Sequence, residues 1–540
     1  NIVEGRPFAY DIRNIPSEGF TSLLYLLLLT PFEFLKVNMP FASVIINLTA
    51  IILSLFAVTH LIIASGILGR MYAIIFACSL WVALINDNNI VQNINLGLET
   101  MLGPMTVIWA GYAVWGTSSS NKTYRAYSLN AFFIILFLAY ITRPESFFFI
   151  SLIGIPLLWN HNIRLSHIIY KGFIFALFFI GYHIIKLIIF GDILPTGFYR
   201  KVGDSALGVT YVNSWITDYA ILFLPVVILI AINIFSFITK RQKILFNQRW
   251  LWFLAIVTIF TLLFFTRTLP LIGRNYRFLV TPTFVAYISF ICLSWLAIAT
   301  IFTKFLPKVS ISTIAYTSLA ILAIFSCIRL IGFANNGEDL LSQLNLYHKA
   351  IQATKGQTYL QFGTHLRQNI EKPDDTTLVF IDAGAVPYSF GGRFIDFNGL
   401  TEPSIAHLFL QPDGKEKTEF FINYILSQNP DIILLAWGYE LIDNKIWMLP
   451  INEHTPFENN IPIELYDAYK EYGIEYVCSM NSNHYYLNYP LHFGIWVHSK
   501  QYESIKNAFL SYCSEYGFFL EDGLAISDAN RLIDFTAQSK

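Results

Sequence analysis

Charge is what this sequence has least of. Asp, Glu, Lys and Arg make up only 13% of its 540 residues, against about 25% in an ordinary soluble domain. That scarcity excludes a chain that is one water-soluble globule, because long stretches carry no charged group to face solvent. Cysteine is scarce as well. Cys78, Cys292 and Cys327 sit in apolar runs, where a thiol behaves as a small hydrophobe. Cys478 and Cys513 are able to form one disulfide if their segment lies outside the cytoplasm. No pair of the five has zinc-site spacing. The spaced glycines of a dinucleotide fingerprint, a Walker loop, a metalloprotease helix and a serine elbow are all missing, which removes the common signatures of nucleotide use and hydrolysis. Internal repeats are missing too, which counts against a transporter built from paired bundles. There is no start methionine and no cleavable signal pattern. The chain opens on Asn1-Ile2-Val3-Glu4-Gly5, and the expectation is that a preceding piece containing a membrane span is missing.

Long apolar runs are what the sequence has in place of charge. Hydrophobic residues reach 55% and the mean hydropathy is +0.52. A spanning helix needs about 20 mostly apolar residues, about 17 at the short end. Runs of that kind lie at 20–36, 41–65, 71–86, 98–116, 126–142, 145–159, 172–190, 219–239, 250–266, 278–303 and 309–328. Several, such as 278–303, contain no charged side chain and so no polar face for a soluble core helix. The expected fold is a polytopic α-helical membrane protein with a C-terminal soluble α/β domain: 1–19 as an outer-face loop, 20–332 as a transmembrane domain of about 10–11 spans, and 333–540 as the extracytoplasmic domain.

The charges divide along the same line. Residues 1–332 hold 22 Lys and Arg against 10 Asp and Glu, while 333–540 hold 13 against 26. Loops 117–125, 160–171, 240–249 and 304–308 gather Lys and Arg and are assigned to the cytoplasm. The opposite side then receives 191–218, 267–277 and the acidic region after 333. Within that region, β-rich runs at Thr377–Ile381, Asp431–Leu435 and near Tyr485–Tyr489 alternate with helical segments at 339–354 and 501–516. Asn121-Lys122-Thr123 fits a glycosylation sequon, which a cytoplasmic loop renders meaningless.

Ionisable groups at the ends of apolar runs are candidates for function. Glu99, in Gly97-Leu98-Glu99-Thr100, either complements the dipole of the helix it opens or lines a polar cavity. In Thr142-Arg143-Pro144-Glu145-Ser146, Arg143 and Glu145 either pair with each other or mark a charged break lining protein or water. Arg267, Arg274 and Arg277 crowd one outer loop against the positive-inside bias. They either snorkel to lipid head groups or bind a lipid-borne phosphate in bidentate fashion. Tyr199, Arg200 and Lys201, after Gly191-Asp192-Ile193-Leu194-Pro195-Thr196, belong to a phosphate or sugar site or to an ordinary solvated loop. His183 and Lys186, inside 172–190, either snorkel or pair. In the soluble domain, Asp382, Asp396 and His407 are expected to meet at the membrane surface, with a purely structural role as the alternative.

In their order along the chain these words resemble the GT-C fold bacterial glycosyltransferases, and most closely the terminal arabinofuranosyltransferases of cell-wall arabinan. The words are Asn-x-x-x-Gly, Glu18-Gly19-Phe20-Thr21-Ser22, Gly97–Thr100, Thr142–Glu145, Gly191-Asp192 with Leu194-Pro195-Thr196, Tyr199 and Lys201, then Arg274 with Tyr276-Arg277-Phe278, and Asp382–Ala385 with Asp396 and Gly399-Leu400. They spread over residues 1–410. The resemblance implies a bacterial inner-membrane enzyme that moves a pentose or hexose from a polyprenyl-phosphate carrier to an extracytoplasmic cell-envelope glycan or lipid, with inversion and with no nucleic acid. It places residues 1–19 outside the membrane, whereas strict alternation of the spans places them inside. Run 20–36, interrupted by Pro31 and Glu33, is spanning or re-entrant accordingly. In that family the general base is an aspartate preceding the Asn-x-x-x-Gly word, upstream of Asn1, so it maps to no residue here, and Asp11 does not replace it. Arg274 and Arg277, with Arg143, Lys201 and Tyr199 behind them, are the expected donor-phosphate ligands. Glu18, Glu99 and Glu145 are the expected carboxylates that orient sugar hydroxyls or assist the base. Asp382, Asp396 and His407 are expected on the acceptor side. A divalent metal occurs in the superfamily, but no ligand cluster demands one and no other cofactor is called for. Three rival functions share the composition: a lipid-linked glycan flippase or exporter, an oligosaccharide ligase or polymerase, and a sensor or scaffold with a ligand-binding outer domain.

Overall fold

In the computed structural model the described residues are, apart from short breaks, 8–222, 263–291, 359–442, 445–450, 474–483 and 490–498, with single positions between 505 and 511. Expected runs 250–266 and 278–303 are therefore described only in part, and 219–239 and 309–328 almost wholly or wholly fall outside. So do the expected helix at 339–354, the run Tyr485–Tyr489, Asp382 and the Cys478–Cys513 disulfide. The chain divides into two compact units.

The first unit comprises Thr21–Ile193 and Lys201–Leu344 and is helical where described. Its helices are α1 (Leu23–Phe34), α2 (Met39–Ala64), α3 (Arg70–Ile85), α4 (Asn88–Asn95), α5 (Leu102–Gly116), α6 (Lys122–Thr142), α7 (Pro144–Gly154) and α8 (Leu165–Phe190). Helical stretches follow at 208–220 and 280–288, the latter preceded by a 3-10 turn at Arg274–Leu279. Among the described residues three helices, Phe41–Ile63 within α2, α6 and α8, are long and apolar enough to cross a membrane. At about 1.5 Å per residue, the 26 residues of α8 exceed a hydrocarbon core about 30 Å thick. Ile169, Phe173, Phe178, Ile184 and Ile188 are exposed along it, as a lipid-facing helix requires.

Four expected runs form helices shorter than a span. The helices formed at 20–36, 71–86, 98–116 and 145–159 are 12, 16, 15 and 11 residues long. Local chemistry accounts for two of these. Residues 98–100 form a turn ahead of α5. Pro156 stands at the start of Ile155–Trp159, which winds as a 3-10 helix.

Seven hydroxyls inside these apolar helices are satisfied locally. The hydroxyls of Thr30, Thr49, Ser54, Thr59, Ser79, Thr142 and Thr283 donate to the carbonyl four residues earlier, which removes the penalty of an unpaired group in an apolar surrounding. Asn121 is the N-cap of α6, its side chain accepting from the Tyr124 amide at 3.1 Å. The sequon asparagine thus has a structural task. Gly191, at φ +74°, closes α8, a conformation that suits a residue without Cβ.

Two apolar clusters hold the unit. Phe76, Ile51, Ile62 and Leu80 pack with Phe284 and Ile288 in one. In the other, Trp215, fully buried, packs with Phe132, Phe149, Phe265 and Leu279 and donates its indole N–H to Thr283 Oγ1 at 2.9 Å.

The second unit gathers Asn1–Phe20, Leu194–Arg200 and Asn345–Lys540. Its sheet contains β1 (Thr377–Phe380), β2 (Arg393–Asp396), β3 (Ile432–Ile442), β4 (Lys445–Pro450), β5 (Ile474–Asn483) and β6 (Pro490–His498). The order is β2-β1-β3-β6-β5, with β4 paired to β3 as a hairpin. β1 is parallel to both β2 and β3, and the remaining pairs are antiparallel. Each residue of β1 is buried, as expected of a strand covered on both faces. Phe421 and Ile425, from the helix Lys415–Ser427, are fully buried. The α/β character expected of the C-terminal region is present, and its strands at 377 and 431 fall where the β-rich runs lie.

Candidate functional site

The helical unit brings three distant sequence words together. The break between α6 and α7 forms because a residue before proline avoids the helical region. Arg143 is extended at φ −152°, ψ 112°, and Pro144 starts α7 with Glu145 in its first turn. Arg143 Nε donates to Glu145 Oε1 at 2.8 Å, so these two do pair. Arg143 Nη1 also reaches the carbonyl of Arg277 at 3.4 Å. Arg277 stands in the turn Arg274–Leu279 and places Nη2 3.4 Å from Glu99 Oε1. Arg143, Glu99 and Arg277 are 4%, 5% and 7% exposed. The Phe278 ring lies near both guanidinium carbons, 5.5 Å from that of Arg143 and 5.4 Å from that of Arg277, within cation–π range.

Glu99 does not cap a helix. The N-cap of α5 is Met101, and the carboxylate of Glu99 faces Arg277 instead. The Arg277 Nε–H, buried, has no hydrogen-bond partner among the described residues, nor has the Thr100 hydroxyl. A buried unpaired donor costs about 1–3 kcal/mol, more when the group is charged. Gly103 lets the cluster close: a Cβ there would stand 3.4 Å from Arg143 Cδ and 3.2 Å from Thr281 Oγ1. Of the other expected phosphate ligands, Arg274 begins the same turn and Lys201 ends the helix Thr196–Lys201; their side chains lie outside the described residues.

A second constellation in this unit was not signalled by the sequence. Asp87, 8% exposed, accepts from Tyr219 Oη at 2.8 Å, from Tyr287 Oη at 2.9 Å and from the Ile90 amide at 3.1 Å. Asn89 donates to Tyr219 Oη at 3.0 Å. Asp87 therefore opens α4 while holding the stretches 208–220 and 280–288. Only the apolar flanks of Asp87-Asn88-Asn89, an acid directly after a spanning-type run, hinted at such a site.

The second unit assembles the remaining words. Thr196 donates to the carbonyls of Glu18, at 3.0 Å, and Leu400. Ser17 donates to the carbonyl of Thr401 at 2.7 Å. Asp11 accepts from Arg13 Nε at 2.6 Å and from the Phe394 amide at 2.7 Å. Arg13 continues to Glu402 Oε1 at 2.7 Å, and Tyr424 donates to Glu402 Oε2 at 2.8 Å. Burial opposes the charge on Arg13, but Glu402 and Asp11 outweigh it and its pKa stands above the ordinary value. This network fastens the loop at 8–20 to the segment after β2. Glu18 is buried in the same place.

Asp396 is fully buried and accepts from the Thr401 amide at 2.8 Å. It shapes the turn at Gly399, whose φ is +74°. Of the three residues expected on the acceptor side, Asp396 is a buried turn former, His407 is exposed, and Asp382 lies outside the described residues. The His407 ring lies tilted against that of Tyr199, centroids 4.3 Å apart. Among the described residues no group of three or more His, Cys, Asp or Glu is placed to hold a metal ion.

Comparison with known proteins reaches the second unit alone. Residues 345–493 match a domain of unknown function, DUF8728. No curated protein matches the chain. No solved structure matches it either.

Proposed function

We propose that the chain is a membrane glycosyltransferase of GT-C type, moving a sugar from a polyprenyl-phosphate carrier to an extracytoplasmic cell-envelope glycan or lipid. One observation carries this reading: Arg143 and Arg277, 134 residues apart, meet in a buried cluster in which Arg277 retains a donor without a partner. Guanidinium groups in that setting suit a phosphate diester.

In the transfer, the acceptor hydroxyl oxygen bonds to the anomeric carbon while the bond from that carbon to the phosphate oxygen breaks. The electron pair leaves with the polyprenyl phosphate, and the hydroxyl proton passes to a carboxylate base. Arg277 and Arg143 lower the barrier by stabilising the charge that grows on the departing phosphate. Glu99 holds Arg277 in position and is partly released when the phosphate takes over its guanidinium. No described residue is assigned the role of that base. Arg274 and Lys201, in the same helical unit, complete the proposed donor set.

Incubation of the detergent-solubilised protein with a polyprenyl-phosphate sugar tests the reading. Release of free polyprenyl phosphate with glycosylation of an added acceptor is the expected result. No phosphate release in detergent, with movement of the intact carrier across the bilayer of proteoliposomes holding the same protein, would instead identify a flippase and refute the transferase.

A further inference from the structure

Tyr276 precedes Arg277 and adopts φ +51°. An aromatic side chain in the left-handed region is strained, and glycine or asparagine would occupy the place more readily. Such conformations persist where the side chain is used. Its ring is half-buried, 5.7 Å from Tyr211 and 6.0 Å from Tyr219 between centroids. Its hydroxyl donates to Asp218 Oδ2 at 2.5 Å, and Asp218 is exposed. Tyr211 in turn accepts from the amide of Phe278 at 3.3 Å, and Phe278 is the ring against both guanidinium groups. An aromatic face thus lies one residue along the chain from the arginine assigned to phosphate, with an accessible carboxylate bonded to its hydroxyl.

We propose that Tyr276 and Asp218 form the sugar-binding wall of the donor site, with the ring of Tyr276 against the C–H face of the transferred sugar and Asp218 accepting from its hydroxyls. The proposal rests on the phosphate reading given above, since the sugar of a lipid-linked donor is bonded directly to the phosphate. The chemistry is suited to a ring that is apolar on one face and rich in hydroxyl donors at its edge. Neither group is required for holding the phosphate. Recognition of the glycan and recognition of the lipid phosphate are therefore separable.

The test measures binding of two probes to the full chain in nanodiscs: a polyprenyl phosphate, and the same carrier bearing one hexose or pentose. Tyr276→Asn relieves the backbone strain while deleting the ring, and Asp218→Asn leaves the fold's interior untouched. Tyr276→Asn is expected to weaken the sugar-bearing probe about tenfold, equivalent to about 1.4 kcal/mol, with bare carrier changed less than about twofold. Asp218→Asn is expected to act in the same direction. Parallel weakening of both probes, or no change in either, would overturn the proposal. Wild-type protein that binds the bare carrier but gains nothing from the sugar would overturn it while leaving the phosphate reading intact. Wild-type protein that binds neither probe removes that underlying reading, and the proposal with it.

Discussion

The carboxylate of Glu99 lies 3.4 Å from the guanidinium of Arg277 across a sequence separation of 178 residues. Both groups are buried, so each meets a charge in place of the water it lost. The Coulomb attraction offsets part of the desolvation penalty, and a buried pair of this kind is a weak source of net stability. The proposed role of the pair is as a poised anion site, because Arg277 Nε has no acceptor among the described residues.

Arg277→Ala is expected to lower kcat/KM for the lipid-linked donor by roughly a hundredfold or more, the range for removing one group that stabilises developing charge. Single-turnover release of polyprenyl phosphate measures it. Arg143→Ala should behave alike, while acceptor KM changes little in either. Unaltered turnover in Arg277→Ala would take the arginine cluster out of the mechanism.

Asp87→Ala strands two tyrosine hydroxyls and the N-terminal amide of α4 without their acceptor. The expected loss is about 2–5 kcal/mol, since each unmade buried hydrogen bond costs about 1–3 kcal/mol. Thermal unfolding in detergent reads it. Asp87→Asn retains one accepting oxygen and should fall between wild type and alanine.

Gly19→Ala tests how tightly the loop at 8–20 is seated. A Cβ there would stand 2.7 Å from the Leu400 carbonyl oxygen and 2.7 Å from Thr401 Cγ2. Backbone cannot yield as a flexible side chain does, so a cost of about 1–3 kcal/mol is expected. A rise in the rate of limited proteolysis within 8–20 is the readout. Equal rates in the variant and the parent would contradict the seating.

Alkaline pH should loosen the second unit. Burial, reinforced by the neighbouring Glu402 carboxylate, raises the Tyr424 phenol above its ordinary 10.0. A raised folded-state pKa contributes stability in full below the unfolded value and loses it as pH climbs towards the folded one. Unfolding in denaturant should therefore become easier above pH 10.0. Tyr424→Phe should flatten that dependence while lowering stability at neutral pH, where its hydroxyl binds Glu402. A steep alkaline limb unchanged in Tyr424→Phe would rule this out.

Much of this arrangement was legible in the order of residues. An apolar run ended by Arg143-Pro144 had to break there, because the residue before proline resists helix and proline accepts a helix's first turn. The buried β1 and the start of β3 followed from short runs rich in β-branched and apolar residues. Helix lengths were less legible: composition cannot distinguish an apolar helix from an apolar turn followed by a helix. Residues 98–100 and 155–159 show the difference.

The sequence by itself determined the apolar helices, the acidic C-terminal domain and the identity of the charged residues set at the ends of apolar runs, all consequences of local composition and backbone chemistry. Only the tertiary structure decided which of those charges meet. It sorted the words around Glu99, Arg143 and Arg277 into one unit and those around Glu18, Thr196 and Leu400 into another. It also withdrew Asp396 from the surface and turned Asp87 into a three-way clamp. The physical reason is that a charge in an apolar setting must find a partner, but its partner is chosen by how helices and loops pack, and packing brings together positions that sequence separation does not relate.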